Sequence, residues 1–444
     1  MTTTINTVLN NQDFLEIFKR LPLQDRLIAE LVCKRWKSAC DYLWQTNQQL
    51  DGSHEDFVEK ITGHIHFSLF EVVLKKSFQF ITKINFSCTP NYSYKQTLMD
   101  DDYYYSRHPT VDFCKMKKGD PQHLESILSV CSNIRELKLD SAIIKCDDEC
   151  LSELFKRNKK IRALELVDYK LKGHCFSQLS YKYLESLVLF TCLIDNAQFK
   201  AHGKNPPKVK SLSVRHSMIN HKEILQFITD SLQQLDLSVD MLLAQHHEYS
   251  LGLAKLIDTP SILKNLKVLR LSDVIDVNDH TLHLIAVSCS ELIALDVGYC
   301  CDISDQGLQN LAPLKKLKCL QIDGLDVSSD IFLHLNPSIR VLTAIGLDDI
   351  TSLVVAKMIQ RMEVLEKLVL DLACTEEYSE FVENLVDEID EVGIKERDVV
   401  LRLGILEDGF TPDARLEILN TPCPAFLKLF MFKNHSEWPF KNYL

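Results

Sequence analysis

The sequence predicts an α/β fold: a short amino-terminal three-helix module, then a curved repeat solenoid with parallel strands inside and helices outside. Three observations predict it. The pattern apolar-x-x-apolar-x-apolar occurs ten times, beginning at Ile134, Ile161, Leu184, Val209, Leu232, Leu266, Leu292, Leu317, Ile339 and Leu365. Its steps run from 22 to 27 residues apart from one of 34, the size of a supersecondary unit stacked along a solenoid. Within each copy the apolar alternation suits a strand, and the segment that follows suits a helix. Ahead of the array, residues 13–44 carry helical stripes.

Composition sets the outer limits. The 444 residues hold 50 Lys plus Arg against 62 Asp plus Glu, a net charge of −12, so affinity driven by phosphate contacts is disfavoured and no nucleic-acid partner is expected. Glycine and proline number 13 each, which disfavours a glycine-rich catalytic α/β domain. No apolar run approaches 18 residues, so no spanning helix and no membrane partner are expected. The start MTTTINTVLNNQDF lacks the marks of a signal or transit peptide. A cytoplasmic location follows as an expectation, with the nucleus also open. Fifteen scattered cysteines fit reduced, mostly buried thiols better than a disulfide framework.

The first helix places Phe14, Ile17, Phe18 and Leu21 on one face, and Pro22 ends it. The second sets Leu27 with Leu31 and Ile28 with Val32 in neighbouring rows; the third carries Trp36, Ala39, Cys40, Leu43 and Trp44. Such wide stripes on fewer than about 50 residues need cover from another chain or from the next domain.

The string FLEIFKRLPLQDRLIAELVCKRWKSACDYLW resembles an F-box, through Phe14, Leu15, Ile17, Phe18, Leu21, Asp25, Leu27, the run Val32 to Trp36, Leu43 and Trp44. The module is assigned residues 5–48. The resemblance implies docking on a Skp-family adaptor and, through it, a cullin scaffold, with Phe14, Leu15, Phe18, Leu21, Pro22, Leu27, Val32, Cys33 and Trp36 as the adaptor-binding residues. One departure stands at the entry: many F-boxes open with Leu-Pro, whereas Leu9 is followed here by Asn10 and Asn11.

The repeats are assigned residues 60–444, clearest over 134–372, and resemble the cysteine-containing leucine-rich repeats, with Cys192 and Cys300 at the usual Asn or Cys position. Helix starts are expected at Asn278 or Asp279, Ser304 or Asp305, Ser328 or Ser329, and Thr351. The step of 34 places an insertion in AQHHEYSLGLAKLIDTPSIL. Upstream, ITKINF begins a unit at Ile81, and an intermediate unit starting at His108, through Val111 and Phe113, is expected between it and Ile134. Downstream, FVENLVDEIDEV reads as a helix under an acidic face, DVVLRLGI as a last strand, and Phe426, Leu427, Leu429, Phe430, Phe432 and Trp438 as a terminal cap.

Chemistry-bearing motifs are missing. No G-x-G, H-E-x-x-H, G-x-S-x-G or paired C-x-x-C spacing occurs. No cofactor, metal or catalytic residue is therefore expected. Together the two resemblances imply a non-catalytic substrate receptor of an SCF-type ubiquitin ligase. The alternative is a repeat scaffold or regulator that no longer assembles a ligase.

A protein substrate is expected on the concave strand face. There Lys138, Glu165, Ser213, Asp236, Arg270, Asp296 and Gln321 fill the middle column of outward residues, mostly polar and of both signs. Against them Val167, Val188 and Phe190 predict an exposed apolar patch, with Arg215 and Arg270 as charged partners. Val341, Ile345 and Val369 form a smaller rival patch.

Overall fold

The structure is a computed structural model, which describes residues 5–21, 23–46, 49–51, 76, 78–86, 131–141, 145–195, 207–217, 219, 224–239, 263–347, 350–370, 377–394, 396–406, 419 and 421–432. Two compact units divide it, one built on Met1–Thr89 and Ser106–Pro207, the other on Pro90–Tyr105 and Lys208–Leu444.

The first unit opens with helices α1 (Ile5–Val8), α2 (Asn11–Lys19), α3 (Leu23–Ala29) and α4 (Lys34–Thr46). Asn10 starts α2 through a reciprocal capping box: its side chain accepts from Asp13 N at 3.0 Å, and its N–H donates to Asp13 Oδ2 at 2.8 Å. The departure from Leu-Pro at this point thus supplies a helix cap. Parallel strands follow in the order β1 (Gln49–Asp51), β2 (Lys83–Phe86), β3 (Glu136–Asp140), β4 (Ala163–Val167) and, after the two-residue strand β5 (Lys170–Leu171), β6 (Ser186–Phe190). A second two-residue strand, β7 (Leu193–Ile194), pairs with β5. Helix α5 (Asp148–Arg157) is capped by Asp147, whose side chain accepts from Cys150 N.

One expectation fails here. Strand β2 pairs directly with β3, from Lys83 opposite Glu136 to Phe86 opposite Leu139. Residues 108–113 lie outside the described residues, but this ladder leaves no place for a strand between its members. The parallel register is set by which side chains face inward, and Ile84, Leu137 and Leu139 are all buried. Strand β1 was not anticipated at all, because QLD is too short to show a period.

The second unit continues the pattern as β8 (Ser211–Arg215), β9 (Gln234–Asp236), β10 (Val268–Arg270), β11 (Ala294–Asp296), β12 (Cys319–Gln321), β13 (Val341–Ala344), β14 (Lys367–Leu370), β15 (Leu401–Leu406) and β16 (Leu427–Phe432). Each pairs in parallel with the next. The insertion at the 34-residue step falls outside the described residues, yet β9 and β10 stay in register across it. Helices α6 (Asp279–Ser288), α7 (Asp305–Gln309), α8 (Ser352–Arg361) and α9 (Glu377–Glu391) alternate with the strands. Asn278, Ser304 and Thr351 cap the first three as the sequence predicts, and the start at Ser328 opens a 3₁₀ turn, Ser329–Leu333.

DVVLRLGI supplies β15, as expected. The expected cap does not take that form: Leu427–Phe432 is one more parallel strand, in register with β15 from Leu401↔Leu427 to Leu406↔Phe432. Alternation in LKLFMF satisfies the same period of two as the other strands, and that periodicity outweighs its aromatic content. Trp438 lies outside the described residues.

After seven of the strands, β4, β6, β8 and β10 to β13, the chain passes through one left-handed residue, Asp168 and Thr191 in the first unit and His216, Asp273, Tyr299, Gly324 and Gly346 in the second. Five of the seven are not glycine, although that conformation costs a side chain about 1 kcal/mol. The turn redirects the next residue inward: Tyr169, Cys192, Val274, Cys300 and Leu325 are all buried.

Candidate functional site

The helical module builds its own small core from Phe14, Phe18, Ala29, Cys40 and Leu43, with Leu9, Leu15, Leu21, Trp36 and Ala39 packed against it. Aromatic packing holds it tight, with Phe18 and Trp36 edge to face at 5.1 Å between centroids and Phe14 at 5.7 Å from Trp36. Arg26 ties α3 to the end of α2 through Nε to Phe18 O at 3.1 Å and Nη2 to Lys19 O at 3.2 Å. Arg35 ties α4 to α1 and α2 through Asn6 O, Leu9 O and Asn11 Oδ1.

This arrangement redistributes the predicted adaptor residues. Phe14 and Phe18 are 1% and 2% exposed, so they are core residues and cannot be contact anchors. Leu15, Leu21 and Trp36 are half-buried against that core, and Leu27 and Cys33 are half-buried as well. Pro22 lies outside the described residues. Among the described members of the predicted set, Val32 alone is exposed. The reason is geometric: a helical stripe marks an apolar face without saying whether its own neighbours or another chain will cover it.

The exposed apolar side chains are others: Ile5, Val8, Ile17, Ile28 and, above all, Leu31, at 85% exposure. Leu31 and Val32 stand in the turn after α3, closed by Leu31 N to Ile28 O at 3.0 Å and Val32 N to Ala29 O at 3.2 Å. The turn is anchored from behind. Glu30 is buried, accepts from Trp44 Nε1 and pairs with Lys76 Nζ at 2.5 Å. Glu30 is thus held inward while the adjoining Leu31 stands in solvent. Helix α1 lies beside this turn, because Asn6 accepts from Trp36 Nε1 at 2.8 Å and its Nδ2 sits 3.8 Å from Cys33 Sγ. Ile5, Val8, Ile17, Ile28, Leu31 and Val32 are thus all exposed on this one helical module.

On the strand face the predicted columns are correct in register. Lys138 stands opposite Glu165, and Ser213, Asp236, Arg270, Asp296 and Gln321 follow one another across β8 to β12. Their charges answer each other. Lys138 Nζ lies 2.7 Å from Glu165, and Asp236 Oδ2 accepts from Arg270 Nη1 at 3.2 Å and forms an ion pair with Arg215 Nε at 3.5 Å. Burial works to raise the Asp236 pKa, but Arg270 and Arg215 outweigh it and hold the carboxyl below its ordinary value. Arg270 Nε also faces Asp296 at 3.6 Å.

The predicted apolar patch is not open. Val167 and Phe190 are paired in register, as expected, but each is only 7% exposed, and Val188 is half-buried. Arg215 belongs to the second unit and Arg270 is occupied by two carboxylates. The rival set fails in the same way, since Val341, Ile345 and Val369 are all buried. In-register side chains on strands about 4.8 Å apart cover one another; Val268, Ala294, Cys319 and Val341 form such a self-packed row.

The cysteines behave as structure. Cys192 Sγ donates to Leu166 O and Cys300 Sγ to Leu271 O, each reaching the preceding repeat. Burial pushes the thiols of Cys192, Cys289 and Cys319 up to about 12 and raises that of Cys300 as well. Thiolate chemistry is suppressed at all four. Among the described residues no group of three or more His, Cys, Asp or Glu is placed to hold a metal, and no helix is long and apolar enough to cross a membrane.

Comparison with known proteins agrees with the module. Residues 14–47 match the F-box-like family model. No curated protein matches the chain. Solved structures that share similarity include the crystal structure of the Rad7 and Elc1 complex in yeast, at a TM-score of 0.40 and 13% identity over 83% of this chain and 94% of that one. Another is an internalin, inlF, from Listeria monocytogenes str. 4b F2365, at a TM-score of 0.36 and 15% identity over 71% of this chain and 89% of that one. The chain is an α/β protein with an F-box-like helical segment ahead of parallel-stranded repeats.

Proposed function

We propose that this chain is a substrate-recognition subunit of an SCF-type ubiquitin ligase. Its helical module holds a Skp-family adaptor and, through it, a cullin scaffold; its repeats hold a protein to be ubiquitinated. The chain makes and breaks no bond itself. It raises the local concentration of substrate lysines near a ubiquitin-charged enzyme that other subunits supply.

The observation that carries the reading is the exposed position of Leu31 and Val32, with Ile5, Val8, Ile17 and Ile28, on a segment that matches the F-box-like model. Burying one such side chain contributes about 2 kcal/mol, and a few anchors of that size dominate ordinary protein interfaces. Reconstitution tests it: the full chain mixed with a purified Skp-family adaptor and cullin elutes as one stoichiometric complex on size exclusion. Separate elution of chain and adaptor would favour the scaffold alternative.

A further inference from the structure

The last three strands carry a feature that the alternating charges elsewhere do not share. Lys367, Arg402 and Lys428 stand opposite one another on β14, β15 and β16. They form an uninterrupted basic row on a chain whose net charge is −12. Arg402 and Lys428 are exposed, and neither has an ion-pair partner among the described residues. This contrasts with Lys83, Lys138 and Arg270, each of which is matched by a carboxylate on the adjoining strand. Two residues further along the strands stand Val369, Gly404 and Phe430. The Phe430 ring lies against Gly404, where a Cβ would come within 2.5 Å of Cζ, and Lys367 Nζ sits 5.2 Å from the ring centroid. Gly404 thus makes room for an aromatic floor beside three cations.

We infer that this row captures an acidic peptide segment of a partner protein, with carboxylates at alternate positions and an apolar side chain against Phe430. Strands about 4.8 Å apart put the ends of the row about 10 Å apart, and the side chains at i, i+2 and i+4 of an extended peptide span about 13 Å, within reach of Lys and Arg. The charges of Arg402 and Lys428, exposed and without an ion pair among the described residues, concentrate acidic partners at this end of a negative chain. The inference deepens the receptor reading and rests on it only in naming the peptide's owner a ubiquitination target.

A phage-displayed random peptide library, panned against the purified full chain at low salt, tests the assignment. Glu and Asp enriched at least about fivefold over the unselected library are expected. R402Q/K428Q, with unchanged melting and adaptor binding, weakens the best selected peptide about tenfold, as two exposed ion pairs allow. L31D, which alters only the adaptor face, leaves the enrichment intact; the ligase reading and the peptide site therefore fail separately. Three results overturn the inference: no acidic enrichment, equal binding by R402Q/K428Q, or displacement of the peptide by a labelled single-stranded RNA 20-mer of similar affinity. A D100N/D101N/D102N variant that binds the peptide tenfold more tightly also overturns it, by assigning the row to the chain's own acidic run.

Discussion

The Asp279 carboxylate receives both the backbone N–H of Ser304, at 2.8 Å, and its hydroxyl, at 2.6 Å. Asp279 is the first residue of α6 and Ser304 caps α7, so each helix start holds the next. The device recurs one repeat later, where Asp305 accepts from Ser328 N at 2.9 Å and Oγ at 2.6 Å. In the first unit Asp148 does similar work, accepting from the N–H groups of Lys172, Gly173 and Cys175. Adjacent repeats are thus coupled by caps as well as by strand pairing.

We predict that Asp279→Ala costs about 1–2 kcal/mol, the scale of a charge-assisted cap. Urea unfolding followed by circular dichroism measures it. Because repeat arrays are stabilised by nearest-neighbour interfaces, Asp279→Ala combined with Asp305→Ala should cost more than either alone. A double variant as stable as the parent would show that the caps are incidental.

Asp323 gives a pH signature. Burial raises its pKa to about 7, despite hydrogen bonds from Ile345 N at 2.9 Å and Gln321 Nε2 at 2.8 Å that favour the charged form. In the unfolded chain the group titrates near the ordinary aspartate value of about 3.9. Between those values the folded state binds the extra proton, so stability falls as pH rises from about 4 to about 7 and levels off above that. The loss is on the order of a few kcal/mol. Asp323→Asn should flatten this limb and unfold at higher urea than the parent at pH 8; an unchanged slope would contradict it.

Thiol accessibility separates structural from surface cysteines. With iodoacetamide at pH 8 in the native state, Cys301, which is exposed, should be alkylated within minutes. Cys131, Cys192, Cys289 and Cys319, whose pKa values are raised to between about 11 and about 12, should remain unmodified. Peptide mass spectrometry reads the difference. Rapid native labelling of Cys192 would mean that its repeat opens.

Much of the architecture was legible because the Leu-x-Leu alternation fixes which side chains face inward, and with them the strand register from β3 to β14. Helix starts at Asn278, Ser304 and Thr351 were legible from capping chemistry. The misses share a cause: pattern shows apolarity, and coverage decides exposure. Phe14 and Leu31 look alike in a helical stripe, yet Trp36 and the Phe18 ring cover one while the other stands in solvent beside the buried Glu30. Val167 and Phe190 sit in the expected columns, but both are buried. The basic row is hidden in the sequence because LKLFMF reads as an apolar cap; as a strand, it places Lys428 beside Arg402.

The most direct test of the central claim is the affinity of the full chain for a purified Skp-family adaptor, compared between the parent, Leu31→Asp and Phe430→Ala by isothermal titration calorimetry. The parent should bind, Phe430→Ala should match it, and Leu31→Asp should lose at least about thirtyfold, the loss of one anchor of about 2 kcal/mol, while melting at the parental temperature. Equal adaptor affinity for Leu31→Asp and the parent, with both folded, would contradict the assignment of the exposed α3 turn as the adaptor contact.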